Sequence, residues 1–409
     1  MRGVKGGPFA VTYWDGETEV YGTEEQVRDQ VNGESKRQVS VQSQSTPRFR
    51  LILREKISLQ DVLANPSVEL GEAYIQGKIE IEGDLREFFR IAIQNQSRLA
   101  AAEVRGLAQR FLRRQRSTSK EEQAEGVRQH YDLGNDFFRL WLDETMSYSC
   151  AYFRRPTDSL RDAQLQKIHH TLRKLNLRPG ERLLDIGSGW GGLIIRAAKK
   201  YGVQAVGITL SKNQVEETKR RIKAEGLTGQ VEVRLADYRN LAEESEVFDK
   251  IVSVGMFEHV GKENIPVYME AVNKMLKPGG LSVLHTITHC KETPPNPWME
   301  KYIFPWGYIP SLREIVWQLP EFDFHLLDVE SLRLHYALTL DHWAENFERV
   351  VPEVKKMYGE AFVKMWRLYL VGCAVSFRYS GLDIHQLLFS KGLNNDLPMT
   401  REGWYAYKE

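Results

Sequence analysis

The chain has 409 residues, long enough for about two or three domains with ample core. Its 56 Lys+Arg against 55 Asp+Glu leave a net charge of +1, so no global field argues for a nucleic acid partner and any anionic partner must be met locally. Three widely spaced cysteines (Cys150, Cys290, Cys373) suit a reducing compartment and give neither a disulfide framework nor a metal spacing. No apolar run approaches the ~18 residues of a membrane span, and the N-terminus lacks the apolar core of a signal peptide. The expectation is a soluble, cytoplasmic protein, which leaves room for work at a membrane surface.

The N-terminal part reads as α+β. Phe9-Ala10-Val11-Thr12-Tyr13-Trp14 predicts a strand entering a turn at Asp15-Gly16, residues 49–54 a second strand, and residues 70–74 and 79–83 continue the pattern. Between Leu85 and Leu112, Phe88, Phe89, Ile91, Ala92, Leu99, Val104, Leu107 and Phe111 recur at helical spacing. No catalytic constellation accompanies them. Arg105, Arg110, Arg113, Arg114 and Arg116 then run into Ser117-Thr118-Ser119, which puts a domain boundary near residue 120. These arginines read either as a solvated helix end with a hinge or as attraction to anionic headgroups, worth roughly 1 kcal/mol per basic residue near a charged bilayer. The expected division is a small domain over 1–120 and a larger one over 121–409.

The larger part alternates strands with helices. Strands are expected over 181–186, 203–208, 230–236, 248–254 and 281–287, with helices over 191–201, 212–225 and 263–276. That order builds a doubly wound, Rossmann-like parallel sheet, whose ligands sit at the carboxyl ends of the strands. The first strand runs into Asp185-Ile186-Gly187-Ser188-Gly189-Trp190-Gly191-Gly192. Glycines there permit backbone angles closed to other residues and let a ligand approach the main chain, although a tight strand-to-helix connection alone would also use them. The spacing is not the Gly-x-Gly-x-x-Gly fingerprint of dinucleotide binders. The second strand ends near Thr209, with Ser211 and Gln214 beyond, the third at Asp237-Tyr238, and the fourth at Glu258-His259. Hydroxyls after the second strand can meet a ribose and an acid after the third the amine edge of adenine, so these ends together describe a nucleoside site. Residues 288–330 read as one insertion, with aromatics and prolines crowded between Pro294 and Pro310, either closing over a core or forming the lid of an acyl pocket. Helices over 337–358 and 359–379 and a strand over 383–390 complete the chain.

Several strings occur here in combination: His130-Tyr131-Asp132-Leu133-Gly134-Asn135, Tyr148-Ser149-Cys150-Ala151-Tyr152, the glycine loop, Val254-Gly255-Met256-Phe257-Glu258-His259-Val260-Gly261, Leu284-His285-Thr286-Ile287, and Cys373-Ala374 with Phe377-Arg378. Over roughly the last two thirds of the chain they resemble the bacterial cyclopropane-fatty-acyl-phospholipid synthases, relatives of the mycolic acid cyclopropane synthases. The resemblance implies the class I S-adenosylmethionine-dependent methyltransferase fold, with S-adenosylmethionine as cofactor and bicarbonate as bound base. It implies as substrate the cis double bond of an acyl chain in a membrane phospholipid, reached by peripheral association with the inner face of the cytoplasmic membrane. The N-terminal unit resembles the small extra domain of the phospholipid-acting members.

Carried onto this chain, the cofactor contacts are Tyr131, Tyr148, Ser149, Asp185, Gly187, Ser188, Gly189, Thr209, Gln214, Asp237 and Tyr238. The bicarbonate site is Cys150, Glu258, His285, Ile287 and Tyr336, and Cys373 matches a cysteine assigned to the active site. Two positions depart from the pattern: Ser188 stands where many relatives have Cys, and Thr288-His289 where a Gly often follows the His-Thr-Ile triplet. A homodimer that tethers one subunit while the other works would suit a two-dimensional substrate.

The chemistry sets what such a site must provide. An alkene is a feeble nucleophile, so it requires an electrophilic methyl, close alignment and exclusion of water. Methylation leaves a carbocation, which ring faces stabilise at roughly 0.5–2 kcal/mol each. Ring closure then removes a proton to a base that must not itself be alkylated. A bound oxyanion suits, with His285 and Tyr336 donating to it and Glu258 orienting His285 or sharing a proton. Taken singly, Glu258 and His259 could cap a helix, His285 could be a core histidine and Cys373 inert packing. Three other outcomes fit the same strings: a methylene- or methyl-branched acyl chain from the same carbocation, a small-molecule N-methyltransferase, and a lipid-binding protein without activity.

Overall fold

The computed structural model describes residues 6–22, 46–95 and 133–406, so Tyr131 and the arginines between 105 and 116 lie outside the described residues. The chain forms two compact units.

The first unit carries a four-stranded sheet in the order β2-β1-β3-β4. Strand β1 (Phe9–Thr12) runs antiparallel to β2 (Thr18–Tyr21) and parallel to β3 (Phe49–Leu53), which is antiparallel to β4 (Ile79–Gly83). The period-two alternation turns Phe9, Val11, Phe49 and Leu51 into one core, where Phe9 stacks on Phe49 at 5.2 Å between ring centroids. Residues 351–380, expected within the 121–409 domain, group instead with this first unit. The cause is an apolar face on the helix Glu360–Tyr379, which packs on the helices Leu85–Gln94 and Pro66–Ile75. Gly372 permits the approach: a Cβ there would stand 3.1 Å from the Phe89 ring. The helix expected over 337–358 is broken into Arg333–Arg349 and Val351–Tyr358, because Pro352 has no N–H to give the preceding turn and clashes with it.

The second unit is a seven-stranded sheet in the order β10-β11-β9-β8-β5-β6-β7. Strands β5 (Arg182–Ile186), β6 (Gln204–Thr209), β7 (Val231–Leu235), β8 (Phe248–Val254) and β9 (Leu276–His289) are parallel, as their spacing with helices requires. Strand β11 (Leu382–Lys391) lies antiparallel between β9 and β10 (Phe324–Ser331). The chain winds outward from β5 to β7, then returns to β8 beside β5. The crevice left at that reversal is where a ligand of such a sheet sits.

Residues 288–330 are therefore not one insertion. Ser311 and Glu314 form a reciprocal capping box that starts the helix Leu312–Gln318, and 324–331 are the edge strand β10. The helix Leu160–Lys174 had no counterpart in the sequence reading. It carries a polar stripe at helical spacing (Gln164, Lys167, His170, Thr171, Lys174) that is at most 4 % exposed. His170 Nε2 lies 2.7 Å from Glu330 Oε2, and Lys174 Nζ 2.5 Å from the same oxygen and 3.2 Å from Asp328. Burial opposes ionisation of Glu330, but His170 and Lys174 outweigh it and hold its carboxyl at about 2. A carboxyl depressed in the fold contributes stability above its ordinary pKa and loses it as pH falls. The urea midpoint of the wild type is therefore expected to drop as pH is lowered from about 4.5 to about 2, and to drop less steeply in Glu330→Gln. Parallel curves for the two proteins would contradict this.

Candidate functional site

Past Ile186 the chain reverses in a glycine turn. The N–H groups of Gly187 and Ser188 both donate to Ile208 O at 3.0 Å, which pins the turn to β6. Gly187 has φ +87°, and a Cβ there would stand 2.7 Å from Met256 Cβ. Gly191 has φ +79°, and its Cβ would stand 2.4 Å from Thr218. Both glycines are thus demanded by conformation and by close packing at once.

The turn forms one wall of a cleft at the carboxyl ends of β5 to β8. Every described residue of the anticipated cofactor set lines it: Tyr148, Ser149, Asp185, Gly187, Ser188, Gly189, Thr209, Gln214, Asp237 and Tyr238. Asp185 Oδ1, Ser188 Oγ and Tyr238 OH are buried there with no hydrogen-bond partner among the described residues. Such atoms are costly unless something else satisfies them. Burial raises the Asp185 carboxyl to about 7, with Lys167 pulling it back, and lowers the Lys167 ammonium to about 8. Lys167 Nζ donates to Ser149 Oγ at 2.8 Å.

Asp237 is not a free acceptor. It caps the short helix Tyr238–Leu241 through Arg239 N (2.9 Å), and its two oxygens take Arg239 Nε (2.8 Å) and Nη2 (2.6 Å). Thr209 Oγ1 donates to Gln214 Oε1 at 2.6 Å, so the amide nitrogen of Gln214 is the group left to donate. Lys167 and Arg239 both line the cleft, and the sequence reading passed over both. An aromatic series continues from the glycine turn: Trp190 to Phe138 (5.2 Å), Phe138 to Tyr148 (5.3 Å), Tyr148 to Trp343 (5.2 Å) and Trp343 to Tyr336 (6.0 Å). Trp190 Nε1 donates to Asn135 Oδ1 at 2.8 Å, which ties the lead-in segment to the turn.

A second polar group lies at the end of β9. Glu258 sits in the one-turn helix Phe257–His259 that follows β8, and its Oε1 accepts from Ile287 N–H at 2.7 Å. Burial raises its carboxyl above the ordinary value. Glu258 does not orient His285, as had been expected; its carboxylate is turned to the Ile287 backbone. The group that meets His285 is Gln386 of β11, whose Nε2 is 3.0 Å from His285 Nδ1. His285 Nε2 and Glu258 Oε2 are both buried and without a partner among the described residues. Cys150 Sγ is 3.9 Å from Leu332 O, at the start of the helix Arg333–Arg349 that carries the half-buried Tyr336. Burial pushes the Cys150 thiol well above its ordinary pKa, so it stays protonated. Thr288, one of the departing positions, faces the opposite side of β9 from His285 and Ile287 and meets His385 Nδ1 at 2.8 Å.

Cys373 belongs to the first unit, whereas the cleft and the β9 group are built wholly from the second. Burial pushes its thiol up to about 12. Cys373→Ala is expected to cost about 1 kcal/mol of stability and to leave turnover within a few-fold. A folded variant whose turnover drops by roughly a hundredfold or more would contradict that.

A family model described as mycolic acid cyclopropane synthetase matches residues 118–387, and one described as a domain of unknown function matches residues 31–103. A probable fatty acid methyltransferase of Pseudomonas putida is 42% identical over 370 residues, covering 88% of this chain and 92% of its own length. The cyclopropane-fatty-acyl-phospholipid synthase of Escherichia coli (strain K12) is 41% identical over 354 residues, covering 83% of this chain and 87% of its own. The mycolic acid cyclopropane synthase CmaA1, solved in complex with SAH and CTAB, matches with a TM-score of 0.62 at 36% identity, over 66% of this chain and 98% of that one. The chain belongs to the mycolic acid cyclopropane synthetase family and is a methyltransferase.

Proposed function

We propose that this enzyme transfers the methyl group of S-adenosylmethionine to the cis double bond of an acyl chain in a membrane phospholipid, and closes a cyclopropane ring once a bound hydrogencarbonate takes the proton. The observation that carries the reading is the pairing of two sets of buried, partnerless polar atoms. One set (Asp185 Oδ1, Ser188 Oγ, Tyr238 OH) lines the cleft, and the other (His285 Nε2, Glu258 Oε2) lies at the end of β9. An amine substrate brings its own lone pair and would have no use for the second set.

S-adenosylmethionine, when bound, supplies an electrophilic methyl, and hydrogencarbonate a base too weakly nucleophilic to be alkylated. The glycine turn lets the main chain approach the cofactor. Asp185 would meet its ammonium group, Ser149 with Lys167 its carboxylate, and Gln214 and Tyr238 its nucleoside, with Asp237 held in place by Arg239. Tyr148, Trp343 and Tyr336 present ring faces that exclude water and stabilise positive charge on the alkene carbons. His285 Nε2–H would donate to the oxyanion and Glu258 Oε2 accept from it, while Cys150, a protonated thiol, would not compete for the methyl group.

The same proposal makes the protein peripheral at the inner face of the cytoplasmic membrane; among the described residues no helix is long and apolar enough to cross a bilayer. Incubating the protein with methyl-labelled S-adenosylmethionine, liposomes of cis-unsaturated phospholipid and a panel of small amines tests the assignment. Label is expected in the extracted acyl chains. Label confined to amines, or absent from lipid, would overturn it.

A further inference from the structure

Strand β11 sets Gln386 directly opposite His285 of β9, on the face that meets the helix Leu160–Lys174. Gln386, His285 and Thr171 of that helix are each 0 % exposed. Gln386 Nε2 is 3.0 Å from His285 Nδ1 and 3.1 Å from Thr171 Oγ1, while the Thr171 hydroxyl gives its own proton to Lys167 O at 2.9 Å.

The directions of these bonds determine one another. With its proton committed to Lys167 O, the Thr171 oxygen can only accept, so the nitrogen of the Gln386 amide faces it rather than the oxygen. That same nitrogen faces His285 Nδ1. An amide nitrogen offers protons and no lone pair, so Nδ1 is the unprotonated ring nitrogen and the ring proton sits on Nε2. Turning the amide over would set Gln386 Oε1 against the Thr171 oxygen and take that hydroxyl's proton away from Lys167 O. In the present orientation Thr171 keeps that bond, and Gln386 Oε1 is the amide atom buried without a partner among the described residues. His285 Nε2, the nitrogen left with the proton, is the atom without a partner among the described residues.

We infer that Gln386, held by Thr171, is a positioning residue that locks His285 in the Nε2–H tautomer, so that the ring can donate to a bound oxyanion and cannot itself take up the proton released in ring closure. The inference rests on the oxyanion reading of this site given above. An imidazolium would need a proton on Nδ1 pointing at the Gln386 NH₂, two donors face to face in a dry interior. Burial, reinforced by the charges of Lys167 and Lys174, also holds the ring neutral. The imidazole is then a fixed donor rather than the base, and of the Glu258 carboxylate one oxygen is held by Ile287 N–H while Oε2 is left to meet the anion.

The test is nitrogen NMR of the full-length protein with isotope-labelled histidine and no added anion, beside steady-state kinetics. In the wild type, Nε2 of His285 is expected to carry the proton and Nδ1 to be bare throughout the neutral range. Thr171→Val removes the acceptor that orients the amide. It should give a mixture of tautomers and raise KM for hydrogencarbonate roughly tenfold, the size of one directed hydrogen bond to an anion, with KM for S-adenosylmethionine unchanged. Thr171→Ser should restore both. Gln386→Glu, whose carboxylate can only accept, should move the proton to Nδ1, a change visible in the same spectrum even where the Thr171 variant is unstable. A wild-type ring protonated on Nδ1, or tautomers indifferent to both substitutions, would overturn the inference. Full wild-type turnover without hydrogencarbonate would overturn the oxyanion reading instead, whatever the spectrum shows.

Discussion

Glu258→Gln is expected to fold, to bind S-adenosylmethionine normally, and to lose turnover by ~10²–10⁴-fold, the range for removing a group that manages a proton in the transition state. The substitution is nearly isosteric, and the amide oxygen can keep the 2.7 Å bond from Ile287 N–H that closes the end of β9. Where Oε2 had been, buried and partnerless, an NH₂ group now stands. An acceptor becomes a donor, and the O–H of a hydrogencarbonate held by His285 loses its partner. Glu258→Ala would be a poorer probe, because it strands the Ile287 N–H at a cost of about 1–3 kcal/mol and confounds stability with chemistry. The pH dependence follows the same group. Burial raises the Glu258 carboxyl, so its contribution to the acid limb of the wild-type rate profile should lie above the ordinary glutamate range. That contribution should be missing from the Gln variant, in which the limb left is that of Asp185 and of the hydrogencarbonate itself. Wild-type turnover in Glu258→Gln would reduce this residue to a backbone tie.

Gly187→Ala should lose affinity for S-adenosylmethionine by well over ~10-fold and stability by about 2–4 kcal/mol. Two penalties add at this position. The backbone sits at φ +87°, strained for any residue with a side chain, and the new methyl would stand 2.7 Å from Met256 Cβ at the end of β8, a contact that only a shift of the turn can relieve. Gly189 is the internal control. Its φ is +54°, and no atom lies within 4 Å of a Cβ built there, so the methyl would point into the open cleft. Gly189→Ala should therefore lower cofactor affinity with much less loss of stability, and calorimetry of the two variants separates the packing role from the binding role. Equal effects on both quantities in both variants would contradict the account.

The parallel sheet was legible because each of its strands is a short apolar run bounded by glycine or acid and separated by a helix-length segment. Strands β5 to β8 accordingly begin and end close to where the pattern puts them, whereas β9, expected over 281–287, starts already at Leu276 and runs to His289. The helix Leu160–Lys174 was not legible for the opposite reason: its buried stripe is polar, and a run of Gln164, Lys167, His170, Thr171 and Lys174 reads as a solvated face until β9, β10 and β11 supply the partners. Strand β10 hid behind aromatics and prolines and, as an edge strand, shows no clean alternation of burial. The helix Glu360–Tyr379 announced its apolar face but not what covers it, which is why residues 351–380 were placed in the wrong unit.

In the site, residues at strand ends could be found from their position after a strand. Gln386, Arg239 and Lys167 could not. Each matters through a neighbour (His285, Asp237, Ser149), and two of those neighbours are distant in sequence. Of the two roles expected of Glu258, orienting His285 or sharing a proton, the first is taken by Gln386 on β11, while one Glu258 oxygen meets the backbone of Ile287 and the other is left for the second role.

The most direct test of the account is the product itself. Phospholipid liposomes with cis-unsaturated chains, incubated with the enzyme and methyl-labelled S-adenosylmethionine with and without hydrogencarbonate, would be hydrolysed and their acyl chains examined by proton NMR. Cyclopropane ring hydrogens are expected only when every component is present. Methylene or methyl-branch signals, or ring hydrogens formed at full rate without hydrogencarbonate, would contradict it.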